Sequence, residues 1–593
     1  MDTLWKGKEK AHDATHFQDL DPPITYRSIL SANLGVRDPL RVIALCDSDA
    51  FYAACEMVRL NILDKPLVVL QWALLIAVNY EARKFGITRM MPLKEAKERC
   101  PGLIVVHVAT YKEGEPEPGY WENPDTKTHK VSLDLYRRES IKVLHVYKEG
   151  LPENTEIEKA SIDEAFFDLT RPVRQILLHR FPYLAQPPDD APDGLDTPLP
   201  APPDLSWHQA STVIPIDPRA EDIEAVQFSP QTWHDVALSI GAELMHQVRQ
   251  EIKMKLNYTT SAGIARNKFL AKLCASHRKP MGQTILRNAS IPNYLLGLPF
   301  QKIRFLGGKL GVALADEFDV SSVAELLPIS LESMQQRFGE ESIWVYQVLR
   351  GIDYTEVKAK SALNKSMLAA KNLPTPITNI ADGYQWIRVL AAELALRLTE
   401  ARETTPSLWP KTIVLHARNI LDRDGRKSKQ APWPFVREVT VDVVAGAANK
   451  LWREFCDARA PMKVTGVSLG FTGIEGVETG LKRLDAFLKK PSSKREFDEA
   501  EDCTSAEKPV STRGNSFVCK RCGHKATLSP SATRSDAERE EALSKLRLEH
   551  EDFHVALELS RVPEVDAAAR PAKRRKKKDE GIAKFFTRDS RDA

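Results

Sequence analysis

Two separated strand-like segments of this sequence each carry acidic residues where charge is costly to bury. The first, Arg41 to Cys46, is a β-branched and apolar run that ends in Asp47-Ser48-Asp49. The second, Ala160 to Thr170, has the adjacent acids Asp163 and Glu164 at its centre. Neighbouring carboxylates lose hydration on burial and repel each other, and a cation between them removes both penalties. If the two strands are neighbours, the acids form a ligand set for two hard divalent cations.

Spacing alone leaves a simpler arrangement open. Asp47 and Asp49 could cap the helix predicted over Ala50 to Leu60, and Asp163 and Glu164 could lie on a solvated face. The two arrangements differ in whether the strands pair, which the fold decides.

At 593 residues the chain is long enough for several domains. Its hydrophobic content of 42% and charged content of 28% are typical of globular proteins and exclude a wholly disordered chain. The longest apolar run, Leu67 to Val78, is too short to cross a bilayer, so we expect no membrane association. Eight cysteines and an N-terminus without a secretory pattern predict a reducing compartment, the cytosol or the nucleus.

Two segments differ from the folded pattern. Residues 182–230 combine prolines and acidic residues with few large apolar residues, which predicts a flexible insertion in a folded domain. After residue 486 the sequence is rich in Lys, Ser, Glu and Asp, apart from an island with Cys and His at 515–560. The chain is therefore predicted to contain several folded domains followed by a largely disordered tail.

Five segments, taken in order, resemble the motifs of the Y family of translesion DNA polymerases. They are CDSDAFYAACE (46–56), IAVNYEARKFGITRMM (76–91), SIDEAFFDLT (161–170), SAGIARNKFLAKLCASHRKPMGQT (261–284) and RFLGGKLG (304–311). The likeness is strongest to the eta branch of that family, because Gln71 precedes Tyr80 by nine residues and the run YEARKFGITR has the form of that branch.

The resemblance implies an α+β multidomain fold of the right-hand polymerase type. Its palm would contain a mixed or antiparallel sheet with the carboxylate cluster, followed by small fingers, a helical thumb, a little finger and a disordered tail with a small zinc finger. The implied parts are an N-terminal extension (1–40), palm (41–60 and 131–290), fingers (61–130), thumb (291–365), little finger (375–485), linker (486–514), zinc finger (515–560) and basic terminal segment (561–593).

The resemblance also implies a role for each acid. Asp47 and Asp163 would bridge two Mg²⁺ ions, which Mn²⁺ could replace, and the Ser48 carbonyl would complete the nucleotide-side ion. Glu164 would hold the ion that activates the primer 3′-hydroxyl. Such ions lower the pKa of the hydroxyl and neutralise charge on the attacking and leaving oxygens, so no protein nucleophile is needed.

Several further positions match nucleotide contacts of the family. Tyr80, Arg83 and Lys279 would grip the incoming triphosphate, although a solvated helix face is the alternative for them. Arg89 would lie over the incoming base, and Gln71 would touch the templating base from the minor-groove side. Both are expected to help hold a cross-linked thymine pair.

Two aromatic residues follow the first acids. Tyr52 matches the steric gate that excludes a ribose 2′-hydroxyl, with Tyr in place of the Phe expected there. Phe51 belongs to the same nucleotide-binding motif, but core packing is the favoured interpretation for its side chain. Sugar selection is therefore assigned to Tyr52.

The remaining folded segments are expected to contact primer-template DNA. Gly307, Gly308 and Lys309 resemble a helix-hairpin-helix turn, in which backbone N–H groups approach a DNA phosphate and a lysine adds charge. In the little finger, the basic candidates are Lys411, Arg418 and Lys463.

The tail contains a candidate zinc site. Cys519, Cys522, His550 and His554 have the ligand types and end spacings of a tetrahedral Zn²⁺ site. The gap between the two pairs, positions 523–549, is longer than usual, and His524 is a competing ligand. Two unrelated pairs of residues are the alternative.

Two partner motifs accompany this site. The segment at 548–560 resembles the helix of a ubiquitin-binding zinc finger, with Asp552 and Ala556 on the ubiquitin-facing side. Ile582, Phe585 and Phe586 resemble the box that binds the sliding clamp (PCNA), with Asp579 in place of the leading Gln.

The basic run KRRKKK at 573–578 predicts nuclear import. Together, the motifs predict a monomeric nuclear polymerase that uses dNTPs, binds monoubiquitinated clamp, and inserts nucleotides opposite and past UV lesions such as thymine dimers. Another Y-family polymerase with a different lesion preference is one alternative, against which Gln71 and Arg89 argue. A non-catalytic ubiquitin and clamp scaffold is the other, and it would have no need of Asp47, Asp163 and Glu164.

Overall fold

The computed structural model describes residues 17, 20, 22–204, 206–217, 231–340, 342–359, 365–421, 427–434, 436–456 and 461–476, and the backbone of 516–518 and 525–527. The strands are β1 Ile43–Ser48, β2 Leu67–Gln71, β3 Leu74–Val78, β4 Ile104–His107, β5 Thr110–Lys112, β6 His129–Val131, β7 Glu156–Lys159, β8 Glu164–Asp168, β9 Thr212–Val213, β10 Thr260–Ala265, β11 Gln283–Ile285, β12 Ser366–Ile377, β13 Leu408–Trp409, β14 Thr412–Asn419, β15 Lys427–Pro432, β16 Val464–Thr472, β17 Glu475–Gly476, β18 Ser516–Val518 and β19 Lys525–Thr527.

The α-helices are α1 Tyr26–Leu30, α2 Phe51–Leu60, α3 Tyr80–Arg83, α4 Leu93–Arg99, α5 Asp134–Gly150, α6 Thr170–Arg180, α7 Trp233–Leu256, α8 Lys268–Cys274, α9 Ile291–Leu296, α10 Lys309–Phe318, α11 Val323–Leu326, α12 Leu331–Phe338, α13 Ser342–Val348, α14 Ile380–Thr404 and α15 Val441–Phe455. Within the described ranges, no helix is both long and apolar enough to cross a membrane.

The palm is built on a six-stranded sheet in the order β7-β8-β1-β10-β11-β9. The first four strands pair antiparallel, and β10, β11 and β9 pair parallel. Side chains alternate along β1: Ala44 and Cys46 join the core beneath helices α5 to α7, whereas Ile43 and Leu45 face the core shared with the thumb. Asp47 continues the thumb-facing row at the end of the strand.

Helix α8 lies unusually close to β10. A Cβ atom on Gly263 would stand 2.2 Å from the carbonyl oxygen of Ala271, so only glycine allows this approach. The helix begins after Asn267, whose side-chain oxygen accepts a hydrogen bond from the Leu270 N–H at 2.9 Å. This close packing brings Lys272 to the carboxylate end of the sheet.

The insertion predicted to be flexible is ordered over the part that is described, 182–204 and 206–217. Leu184 is fully buried in the palm core, and β9 adds an edge strand beside β11. The Trp233 indole N–H donates to the Pro200 carbonyl at 2.6 Å. The prediction was wrong for these residues because a few apolar side chains, such as Leu184 and Ile214, fix a segment whose average composition is polar. Positions 205 and 218–230 lie outside the described residues.

The fingers contain a three-stranded sheet in the order β3-β2-β4. Strands β2 and β3 together occupy the apolar run from Leu67 to Val78, with Gln71 at the end of β2. A small separate core, which includes Val68, Leu75 and Ile87, holds the sheet to α3 and α4.

Short helices α9 to α13 form the thumb, and the little finger is a sheet in the order β12-β16-β14-β15 with α14 and α15 packed against it. Of the basic candidates in this domain, Arg418 lies in β14, whereas Lys411 and Lys463 directly precede β14 and β16. The sheet begins with β12 at Ser366, nine residues before the predicted boundary at 375.

Candidate active site

Strands β1 and β8 are neighbours and bring the three acids together. Asp47 lies directly opposite Glu164 in the antiparallel register, and the Ser48 N–H donates to the Asp163 carbonyl at 2.9 Å. The strands are therefore paired, which the spacing in the sequence had left open. The capping alternative is wrong, because helix α2 begins after Ala50 and no side chain caps it.

Two lysines neutralise this cluster. Lys279 is ion-paired with Asp47, and Lys272 contacts Glu164 at 2.5 Å. Burial, with repulsion from Glu164, raises the pKa of Asp47 to about 6 despite the attraction of Lys279. Burial acts in the same direction on Glu164, but the hydrogen bond and charge of Lys272 outweigh it and lower the pKa of Glu164. The three carboxylates of the cluster thus outnumber the two lysines that pair with them.

The oxygen atoms at this point are of the kind that hard divalent cations prefer. Three carboxylates and the Ser48 carbonyl offer only oxygen donors. In the described part of the chain, no three acidic, His or Cys side chains are arranged as a ready metal site; Lys279 contacts Asp47, Lys272 contacts Glu164, and Ser161 Oγ donates to Asp163. The donor set fits divalent ions. To bind them, Asp47 and Glu164 would have to give up their contacts with Lys279 and Lys272.

Asp49 has a supporting role that the sequence did not reveal. Its carboxylate is 3% exposed and accepts hydrogen bonds from Ser261 Oγ at 2.7 Å and from the Met281 N–H at 2.9 Å. These bonds tie the segment after Lys279 to β10. The sequence shows Asp47-Ser48-Asp49, but no local pattern indicates that Asp49 would be buried and hydrogen-bonded to distant residues.

The predicted triphosphate-binding residues meet beside the acids. The Arg83 guanidinium lies 4.4 Å from the centre of the Tyr80 ring, and its Nε donates to the Val78 carbonyl at 3.1 Å. Burial raises the pKa of Tyr80, and Asp49 and Asp47 add to this effect while Arg83 and Lys279 oppose it. The phenol hydroxyl therefore stays protonated among these charges.

Tyr52 is fixed by a stack of rings. Its ring lies parallel to that of Tyr136, with centroids 4.1 Å apart and an interplanar angle of 9°. The Tyr136 hydroxyl donates to Glu56 at 2.8 Å, as does the Tyr120 hydroxyl, and the Arg59 Nε donates to the same carboxylate at 2.7 Å. Glu56 is 0% exposed, so this anchor is fully buried. Sequence reasoning missed it because two of the three donors, Tyr120 and Tyr136, are distant from Glu56 in sequence.

The remaining predicted nucleotide and template contacts are Phe51 in α2 and two residues of the fingers, Gln71 and Arg89. Phe51 is 3% exposed and packs edge-on against Tyr258, so its side chain has no surface left for a nucleotide. Its assignment to nucleotide binding is therefore corrected to the core. Gln71 is half-buried at the end of β2, and Arg89 is exposed in the turn that follows α3.

Comparison with known proteins agrees with this geometry. The chain matches the impB/mucB/samB family over 46–276, the helix-hairpin-helix motif of DNA polymerase eta and Rev1 over 298–352, and the C-terminal domain of the impB/mucB/samB family over 364–485. DNA polymerase eta of Saccharomyces cerevisiae is 30% identical over 444 residues, which are 66% of this chain and 69% of that protein. This chain belongs to the Y family of translesion DNA polymerases.

Two other relatives extend the comparison. N-acetyltransferase eso1 of Schizosaccharomyces pombe is 32% identical over 578 residues, 88% of this chain and 62% of that protein. DNA polymerase eta of Arabidopsis thaliana is 30% identical over 409 residues, 66% of this chain and 55% of that protein. The chain therefore spans between about half and about two thirds of the length of these relatives. Its likeness is to eta-type members of the Y family.

The thumb of this Y-family chain presents the predicted glycine turn. Gly308 precedes α10, and a Cβ atom placed on it would meet no atom within 4 Å, so its backbone is open to a ligand. Gly307 has less free space than Gly308, because a Cβ atom placed on it would stand 3.1 Å from the Gln301 carbonyl oxygen. Gly311 is required by packing, since its Cβ atom would stand 1.6 Å from the Leu306 carbonyl oxygen.

A cleft of about 560 Å³ connects Asp47 with the thumb. Its polar lining is dominated by cations, which suits a polyanion, and its apolar lining includes exposed aromatic surface. The basic residues are Lys268, Lys272, Lys279, Lys302 and Arg304, and the aromatic ones are Phe166, Phe269, Phe305 and Trp344.

The little-finger candidates are placed on or beside the sheet. Lys411 is ion-paired with Glu475 at 2.7 Å, and the Arg418 Nε donates to Thr465 Oγ1 at 3.0 Å. Lys463 donates its backbone N–H to Asn419 at 3.0 Å. Arg418 shares one sheet face with Ser468 and Gly466, small residues that leave room for a close ligand.

The tail predictions fall outside the described residues. In that part of the chain the backbone is described for β18 and β19, which pair antiparallel, and Cys519 and Cys522 fall between them in sequence. The positions concerned are Cys519, Cys522, His550, His554, Asp552, Ala556, Ile582, Phe585, Phe586 and the basic run 573–578.

Proposed function

We propose that this chain is a DNA-directed DNA polymerase of the eta type, which adds dNTPs to a primer on template DNA by nucleotidyl transfer. The observation that carries the proposal is the register of β1 and β8, which sets Asp47 opposite Glu164 with Asp163 beside them. Family membership supports translesion synthesis as the general activity.

Two divalent ions, Mg²⁺ or Mn²⁺, would be held by Asp47, Asp163, Glu164 and the Ser48 carbonyl. When bound, they lower the pKa of the primer hydroxyl and neutralise charge in the transition state. Lys279 is half-buried beside Asp47, where it can move from the carboxylate to a phosphate oxygen.

The other residues of the chain orient the nucleotide. Arg83 and Tyr80 form one wall beside the triphosphate, and a guanidinium suits paired phosphate oxygens. Tyr52, backed by Tyr136, presents a flat ring where the sugar would lie. A fixed ring can exclude a 2′-hydroxyl without losing contact with a deoxyribose.

Within this activity we propose insertion opposite and past UV lesions such as thymine dimers. Support comes from Gln71, half-buried at the end of β2, and from Arg89 in the turn that follows α3, the two positions that match lesion-holding contacts of the eta branch. The alternative within the family is a different lesion preference.

The tail adds a second part to the proposal, which rests on sequence motifs. Cys519, Cys522, His550 and His554 would bind Zn²⁺, Asp552 and Ala556 would contact ubiquitin, and Ile582, Phe585 and Phe586 would bind the sliding clamp. The basic run at 573–578 would direct a monomer to the nucleus. Zinc content and clamp binding of the purified full chain test these assignments.

Primer extension tests the catalytic part. The full chain is compared with the Asp163→Ala, Glu164→Ala double variant on two matched templates, one undamaged and one with a thymine dimer. We expect Mg²⁺-dependent insertion of two adenines across the dimer, absent in the double variant although DNA binding persists. Extension on undamaged DNA alone would assign the protein to another branch of the Y family. A wild type without any extension activity would favour the alternative of a non-catalytic scaffold.

A further inference from the structure

A buried polar junction attaches the little finger to the palm and fingers. Glu393 of α14 forms an ion pair with Lys130 of β6, and both are almost fully buried. Tyr111 of β5 lies within the little-finger core and donates its hydroxyl to Asp134 at 2.8 Å. These contacts hold strand β12 close to the fingers.

Lys371 occupies an inward-facing position of β12 at this junction and is 8% exposed. Its Nζ donates to the His129 carbonyl at 2.8 Å. The same ammonium group lies 5.1 Å from the centre of the Trp72 ring and 4.9 Å from the centre of the Trp386 ring. One cation therefore contacts both the fingers, through Trp72 and His129, and the little finger, through Trp386.

The charges around Lys371 do not explain its burial. Burial lowers the pKa of its ammonium group to about 8, Lys130 repels it, and Asp125 gives only partial compensation. The faces of two tryptophan rings attract a cation through their quadrupole, most strongly where water is excluded. An apolar residue would fill the same space at lower electrostatic cost, so a lysine between the two rings points to a role in joining them.

Trp72 connects this contact to the template side of the fingers. It directly follows Gln71 in the β2–β3 turn and has a left-handed backbone, φ 58°. Its N–H donates to His107 Nε2 at 3.0 Å, and its ring lies 5.0 Å from the His107 ring. A non-glycine residue in this conformation needs such support, and a shift of its ring would be transmitted to Gln71 through one peptide unit.

We propose that Lys371 is a positioning residue for template recognition: by bridging Trp72 and Trp386, it fixes the fingers hairpin against the little finger and so sets Gln71 at the templating base. The inference rests on the template contact proposed above for Gln71. It gives the little finger a part in base recognition through a contact with the fingers.

A double-mutant cycle in the full chain tests this role. Lys371→Met, Gln71→Ala and the double variant are assayed for single-nucleotide insertion opposite an undamaged base and a thymine dimer. Lys371→Arg keeps a cation between the rings, and Lys365→Met removes an exposed lysine just before β12 as a control. We expect Lys371→Met to lower kcat/KM by about fivefold in the wild-type background and less than about twofold in the Gln71→Ala background.

The outcomes separate the two proposals. Activity restored by Lys371→Arg, together with an effect of Lys371→Met that disappears without Gln71, supports the positioning role. Equal losses from Lys371→Met in both backgrounds, or a loss that only follows a lowered melting temperature, overturns it while leaving the template contact of Gln71 intact. A silent Gln71→Ala variant in an active polymerase overturns both the contact and the positioning role, and an inactive wild type refutes the proposed function itself.

Discussion

If Tyr52 selects the sugar as proposed, its stack on Tyr136 makes that selection depend on a residue outside the nucleotide motifs. Tyr136→Phe keeps the ring and removes the hydroxyl that donates to Glu56, whereas Tyr136→Leu keeps an apolar side chain and removes the stack. An aromatic pair contributes about 0.5–1.5 kcal/mol beyond burial, and a hydrogen bond to a charged group about 1.5–3 kcal/mol. The two substitutions therefore separate ring support from anchoring.

The assay is the ratio of kcat/KM for a deoxynucleotide to that for the matching ribonucleotide. We expect Tyr136→Leu to lower this ratio by up to about tenfold, since about 1.4 kcal/mol corresponds to a factor of ten. Tyr136→Phe should lower the free energy of unfolding but change the ratio by less than about twofold. Equal ratios for the Leu variant and the wild type, or equal losses for both variants, would refute the reasoning.

Three further predictions concern a packed glycine of the thumb, the buried Asp49 carboxylate, and the buried His234 of helix α7, whose Nε2 lies 2.9 Å from the Arg41 carbonyl oxygen. Gly311→Ala should destabilise the thumb by roughly 1–3 kcal/mol because its Cβ atom collides with a carbonyl oxygen, whereas Gly308→Ala, with no neighbour within 4 Å, should leave the melting temperature unchanged. Asp49→Asn should raise KM for dNTP several-fold with little change in kcat. The Asp49 carboxylate accepts two hydrogen bonds that hold the segment after Lys279, and the substitution removes this carboxylate. An unchanged KM would contradict this. Burial lowers the pKa of His234 from 6.5 to about 4, so below pH 6.5 the unfolded chain binds a proton that the folded chain does not. Stability should therefore fall by up to about 3 kcal/mol between pH 6.5 and 4, and His234→Gln should show a shallower decline in denaturant titrations.

The acids at the sheet end were predictable because strand patterns ending in charge are visible locally. Asp47 and Glu164 face each other as the two strand patterns required. Strand β12 was missed at its start because Lys371 occupies an inward position between Ala369 and Leu373 and breaks the apolar alternation. The sequence does not distinguish a buried lysine whose ammonium group lies over tryptophan rings, as in Lys371, from a lysine on the surface.

The supports of the site were harder to predict for a related reason. Asp49, Tyr136 and Lys272 act through partners that lie far away in sequence, so no local pattern marks them. The insertion was misjudged from its average composition, although over its described residues a few buried apolar side chains, such as Leu184 and Ile214, and the two-residue strand β9 attach it to the palm.

The palm sheet has a consequence for how the protein is made. Its central strands β1, β8, β10 and β11 come from four stretches of chain between Ile43 and Ile285, and β1 lies between partners that appear late. A ribosome adds about 5–20 residues per second, so β1 waits for roughly ten seconds or more before β10 emerges. During that interval the edge of β1 that will meet β10 has no strand partner, and its backbone N–H and C=O groups are open to wrong partners. The acid cluster can form once β8 has emerged, but the sheet around it is complete only after β10 and β11 follow, so chaperone protection of the nascent palm should improve its yield.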